Sequence, residues 1–176
     1  TGELLVRHPG VDKISFTGGV IAARAVMAAA SEQLTPLCFE LGGKSAFVML
    51  DDADPALTAM IAGFTICSHA GQGCAITTRL LVPEAKLPEM VDLVADTLAG
   101  VPYGDPTDPS MMMGPLINER QREKVDGYVQ RASADGAKIV TGGRRPEHLP
   151  RGFFYEPTLL VGVEPDGINI NDGCGS

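Results

Sequence analysis

Phe39-Glu40-Leu41-Gly42-Gly43-Lys44-Ser45, followed thirty-four residues beyond its glutamate by Cys74 in Gly71-Gln72-Gly73-Cys74, decides how this chain is read. Leu37-Cys38-Phe39-Glu40-Leu41 is apolar apart from one acid and runs into Gly42-Gly43. It therefore reads as a buried strand that carries a carboxylate to its own edge, where the glycines let the chain turn. Glutamate is rarely buried without a partner or a task. The second stretch follows an apolar, alanine-rich segment, Leu57 to His69, expected to be helical. Gly71 and Gly73 then leave Cys74 in a loop with little side-chain cover, where a substrate can reach it. A carboxylate and a thiol thus arrive from different elements, and the reading expects them to converge on one small volume.

Upstream, Val11 to Thr17 carries the β-formers Val11, Ile14 and Phe16 and closes on Gly18-Gly19, and Val20 to Ala30 is alanine-rich without internal Gly or Pro. This is strand, glycine turn, helix. Such a unit presents backbone N–H groups at a helix N-terminus to a phosphate. Tight packing of strand on helix explains the same glycines without any ligand.

Taken together, Phe16-Thr17-Gly18-Gly19, Glu40-Leu41-Gly42-Gly43-Lys44-Ser45 and Gly71-Gln72-Gly73-Cys74 resemble the aldehyde dehydrogenase superfamily in order, spacing and residue type, over about residues 10–166. The resemblance implies an α/β fold comprising the end of a Rossmann-type cofactor domain (residues 1–43) and most of an α/β catalytic domain (44–166). Residues 167–176 depart from the family pattern. It also implies that Cys74 is the nucleophile and Glu40 the general base that hydrolyses the acyl-enzyme. Thr17, Gly18 and Gly19, with Leu41, would lie against NAD or NADP. Ala23 stands where the family commonly has a second glycine, and Val20 and Ile21 where it has an acid or a threonine. The implied reaction is oxidation of an aldehyde to a carboxylic acid through a cysteine thiohemiacetal and thioester. Glu40 favours hydrolysis over transfer to coenzyme A, and its role calls for a carboxyl pKa raised by burial.

Composition sets the outer limits. At 176 residues and 44% hydrophobic, the chain can bury a core, and no eighteen-residue apolar run is present to span a membrane. The first residues lack the apolar core of a signal peptide. A net charge of −8 argues against a nucleic-acid partner, since phosphate binding needs a basic surface. Cys38, Cys67, Cys74 and Cys174 show neither zinc-site nor disulfide-framework spacing, which points to no metal and a reducing, cytoplasmic setting. Cys67 and Cys74 as a redox pair is a weaker alternative.

Further along, Ser45 to Leu50 and Thr77 to Val82 read as strands, and Asp54-Pro55 as the cap and first position of a helix. That helix is expected to run to His69, which then sits at the C-terminal dipole. Leu87 to Leu98 has amphipathic spacing. Met111 to Met113 reads as core filler, Asn118 as the cap of a helix to about Ala134 ended by Gly136, and Lys138–Thr141 and Phe153–Val163 as strands. Arg144, Arg145 and Arg151 read as solvated. The resemblance further implies that an oxyanion-donating asparagine, the first βαβ units, the ribose-holding residues and an oligomerisation arm lie outside this sequence, and that the whole protein is a homo-oligomer. The chain is accordingly read as an interior piece of such an enzyme, with the alternative that this piece keeps the fold without binding cofactor.

Overall fold

The computed structural model describes residues 1–163. The expectations for Glu164-Pro165-Asp166, for residues 167–176 and for Cys174 concern residues outside the described ones. Thr1–Lys44 forms one compact unit, and a second begins at Ser45.

The first unit is built on a parallel pair, β1 (Ile14–Gly18) and β2 (Leu37–Leu41), joined by α2 (Val20–Ser31). Parallel strands need such a crossover, and a helix supplies it. Ala23, Ala29 and Ala30 are the buried residues of α2, so small side chains let the helix lie against both strands. Phe16 pairs with Phe39 in register, their rings edge-to-face with centroids 6.1 Å apart. A short α1 (Gly2–Val6), which hydropathy alone does not announce, is tied to the end of α2 by Arg7, paired with Glu3 and Glu32, and by Gln33 Nε2 donating to the Arg7 carbonyl.

The second unit opens with the same device. β3 (Ser45–Val48) and β4 (Thr77–Leu81) are parallel and joined through α3 (Pro55–Cys67), with an irregularity between Ser45 and Ala46 that leaves Thr78 without a register partner. Asp54 caps α3 as expected, accepting from the Leu57 N–H at 2.8 Å, with Pro55 at the first helical position. α4 (Leu87–Ala99) buries Met90, Val94 and Leu98, the stripe its spacing prescribes. Those three join Met49, Ala59, Cys67, Val101 and Met113 in the main core. Met113 is thus core filler, while Met112 is exposed. Asn118 caps α5 (Glu119–Ala134) by accepting from Gln121 N–H at 2.9 Å. β5 (Lys138–Thr141) pairs antiparallel with β6 (Leu159–Val161).

Sequence reading extends the last strand back to Phe153, but pairing begins at Leu159. Pro157 has no N–H to give a ladder. Phe154 and Tyr155 are instead buried as side chains, and Tyr155 Oη donates to Asp126 at 2.9 Å. Arg144, Arg145 and Arg151 are exposed, Arg144 pairing with Glu156. Among the described residues no helix is long and apolar enough to cross a membrane.

Helices α3 and α4 meet at Gly63. A Cβ there would stand 2.5 Å from Thr97 Cγ2, and Thr97 is held by its hydroxyl donating to the Leu93 carbonyl at 2.8 Å. A β-branched side chain pinned in this way does not swing aside cheaply. Gly63→Ala is therefore expected to lower unfolding free energy by about 1–3 kcal/mol despite alanine's better helix propensity. Thr97→Ser, which removes the clashing methyl, should recover most of that loss in a denaturant double-mutant cycle. Additive effects of the two changes would count against the contact.

Candidate active site

In the first unit, the register sets Thr17 opposite Glu40 and Gly18 opposite Leu41. The strands alternate in phase: Ile14, Phe16, Leu37 and Phe39 are half-buried, whereas Ser15, Thr17, Cys38 and Glu40 are exposed. Since side chains alternate across a strand, Thr17 and Glu40 are neighbours on the exposed face. They lie toward the C-terminal ends of parallel strands, where open α/β sheets gather ligands.

Gly19 follows as the N-cap of α2, extended, with no side chain capping the helix and no acid in its first turn. The first N–H groups of a helix lack intrahelical acceptors, so this end suits a phosphate. At Gly18 a Cβ would stand 2.7 Å from the Phe16 ring, so a side chain would displace that ring. Ala23, at the family's usual second glycine, is buried in the helix packing. Thr17, Gly18, Gly19, Glu40 and Leu41 are thus gathered at one end of one sheet.

Two expectations fail here. The Leu37–Leu41 strand is not buried, and Glu40 is exposed, because among the described residues β2 has one strand neighbour and only its alternate apolar residues gain cover. Cys38 is exposed by the same alternation.

Cys74 belongs to the second unit. α3 ends at Cys67 rather than at His69, and a tight turn over Ser68–Gly71 follows in which His69 (φ 49°), Ala70 (φ 54°) and Gly71 (φ 75°) are all left-handed. Left-handed backbone costs a residue with a Cβ about 1–2 kcal/mol, so the surroundings must hold it. Ala70 packs against both hydrophobic clusters of this unit. Gln72 braces the rest: its backbone N–H and its Nε2 both donate to the His69 carbonyl, at 3.2 and 3.0 Å. Its Oε1 accepts from Ile117 N–H at 3.0 Å.

The chain then closes a β-turn, with Ile76 N–H donating to the Gly73 carbonyl at 3.2 Å. Ile76 is buried beneath it, and a Cβ on Gly73 would stand 2.8 Å from Ile76 Cδ1. Cys74 occupies the second position of that turn and is exposed. The expectation of an accessible thiol holds. The expectation for His69 as a helix-end histidine does not, since it lies past the helix in a left-handed turn and contributes its carbonyl.

Cys67 is 2% exposed in the main core, and desolvation pushes its thiol up to about 11. A buried thiol that stays protonated is a poor redox partner for Cys74, which removes that alternative. Among the described residues no group of three or more His, Cys, Asp or Glu could hold a metal ion. Gln72 is the residue that sequence reading passes over: its neighbours Gly71 and Gly73 carry the turn signal, while an amide that donates at one end and accepts at the other leaves none.

One unit is a βαβ motif ending in a Thr–Glu pair and the other displays an exposed cysteine on a braced turn, which together define an α/β protein. The model of the aldehyde dehydrogenase family matches residues 1–171, and the chain belongs to that family. It is 40% identical over 162 residues to a chloroplastic aminoaldehyde dehydrogenase of Arabidopsis thaliana and to a peroxisomal one of Pisum sativum, covering 92% of this chain and 32% of each relative. The chain therefore spans about a third of the length of these curated relatives. Among solved structures, a Mycobacterium tuberculosis aldehyde dehydrogenase complexed with NAD+ is 41% identical at a TM-score of 0.89, over 93% of this chain and 34% of that one. A Pseudomonas syringae aldehyde dehydrogenase, solved as a cysteine-to-alanine mutant with NAD+ and octanal, gives a TM-score of 0.92 at 33% identity, over 96% and 35%.

The cysteines should separate by reactivity. Iodoacetamide at neutral pH is expected to label Cys74 and Cys38, whereas Cys67 should lag by about 10²-fold or more from its low thiolate fraction alone. Labelling of Cys67 should climb about tenfold per pH unit until pH nears its pKa of about 11, as long as the fold persists. Mass-spectrometric peptide mapping reads all three; Cys67 reacting as fast as Cys74 at neutral pH would contradict this burial.

Proposed function

We propose that the whole protein oxidises an aldehyde to a carboxylic acid with NAD or NADP, using Cys74 as nucleophile and Glu40 as general base. The observation that carries this reading is the exposed Cys74 at the head of a braced turn, in a chain of the aldehyde dehydrogenase family. The cysteine-to-alanine change in the octanal-bound Pseudomonas syringae structure is consistent with it.

Residues 1–43 then act as the end of the cofactor domain and 44–166 as the catalytic part. The start of α2, from Gly19, would receive a cofactor phosphate, with Thr17, Gly18 and Leu41 lining the strand ends. When bound, the nicotinamide supplies a hydride acceptor. Cys74, as thiolate, adds to the aldehyde carbonyl and gives a thiohemiacetal oxyanion, to which the N–H of Cys74 would donate. Loss of hydride from this adduct leaves a thioester on Cys74. Glu40 takes a proton from water, the hydroxide adds to the thioester, and the thiolate leaves with the acid released. Glu40 is exposed in this chain, so the desolvation that a base needs comes from what packs over it in the loaded enzyme.

Relatives named aminoaldehyde and betaine aldehyde dehydrogenases make amino-substituted aldehydes the first substrates to test. The free cysteines favour a reducing compartment such as the cytoplasm, and the active form is read as a homo-oligomer. A second reading, that this 176-residue polypeptide by itself keeps the fold but holds no cofactor, is favoured by its spanning 32% of its relatives.

Pre-steady-state NADH release in the whole protein tests the assignment. Glu40→Gln should keep the first-turnover burst while slowing steady-state turnover by about 10²–10⁴-fold, the usual worth of a general base. Cys74→Ser should abolish both. A lost burst in Glu40→Gln would reassign that residue, and a burst surviving in Cys74→Ser would end the mechanism.

A further inference from the structure

We infer that Gln72 is the positioning residue of the cysteine loop, a strap that holds the turn carrying Cys74 against the segment leading into α5. The inference rests on Cys74 being the reacting group, as proposed above. The geometry is specific to an amide. Ile117 N–H can be met only by an acceptor and the His69 carbonyl only by a donor, so Oε1 and Nε2 each have one permitted place. Glutamate at neutral pH would lose the donor, leucine would lose both, and asparagine is one methylene short.

The strap also joins two parts of the second unit that lie far apart in sequence. One end is the left-handed turn at His69 and Ala70, which backbone preference alone would release. The other is Ile117, one residue before Asn118, the side-chain cap of the 16-residue α5. Through Gln72 the position of the thiol is referred to a long helix rather than to a free loop. Misplacement of a reacting group by about 1 Å can cost about 10²-fold in rate, which is the scale on which such a strap matters.

Gln72→Leu and the near-isosteric Gln72→Glu test this in the whole protein, with Asp54→Ala as the comparison. Asp54→Ala removes the cap at the start of α3, which touches neither end of the strap. In both Gln72 variants, amide hydrogen exchange at Ile117 should quicken by about tenfold or more. kcat should fall by about 10²-fold in Gln72→Leu and by less in Gln72→Glu, with the aldehyde KM within about threefold of the original. Should Gln72→Leu fail to fold, Gln72→Glu is read in the same way.

Asp54→Ala should lower the melting temperature with turnover nearly unchanged. The inference is overturned if Ile117 exchange and turnover in the Gln72 variants match the original, or if Asp54→Ala reproduces their loss of kcat. Exchange at Ile117 needs no turnover, so it fails independently of the Cys74 mechanism, which Cys74→Ser decides.

Discussion

The close approach of α3 to α4 at Gly63 is the constraint on which the second unit depends. Without a side chain at that position the two helices meet through Thr97 and Leu98, and the core of Met49, Ala59, Met90, Val94 and Met113 fills around them. Met90 is 1% exposed, and burying such a side chain contributes about 1.5–3 kcal/mol. Cys67, the last residue of α3, is part of the same core. The point from which the chain leaves the helix is therefore fixed by packing, and the loop that follows starts from a rigid origin. Ala70 extends this by touching both clusters, so the turn toward Cys74 is shaped by burial rather than by local preference.

The two groups proposed to react are delivered in opposite senses. Glu40 stands near the C-terminal end of a parallel strand, beside Thr17. Cys74 precedes its strand, in the connection between α3 and β4. The left-handed residues and the β-turn that follow put Cys74 seven positions beyond Cys67, and the loop brings the sulfur into the open.

Much of the architecture was legible because its signals are local. Asp54-Pro55 announces the start of α3, Asn118 that of α5, and the spacing of Met90, Val94 and Leu98 the buried face of α4. Phe16-Thr17-Gly18-Gly19 likewise announces a strand running into a helix. What escaped depends on tertiary context. Hydropathy could not say that Leu37–Leu41 would have one neighbour, so Glu40 and Cys38 emerge exposed. Ser68-His69-Ala70 holds no glycine or asparagine to announce left-handed backbone, and the helix pattern runs through it unbroken. Pro157 did carry a warning against a long final strand, which the β-forming residues around it masked.

Every strand pairing among the described residues joins elements adjacent in the strand order: β1 with β2, β3 with β4, β5 with β6. Partners are separated by 23 residues at Ile14–Leu37, 32 at Ser45–Thr77 and 23 at Lys138–Val161. The entropic cost of closing loops of that length grows only slowly with the number of residues. During synthesis both strands of the β1–β2 pair are available once Leu41 has left the ribosome, before Cys74 has been translated. Chain order thereby lets the Ile14–Leu41 unit take shape first and the turn bearing Cys74 afterwards.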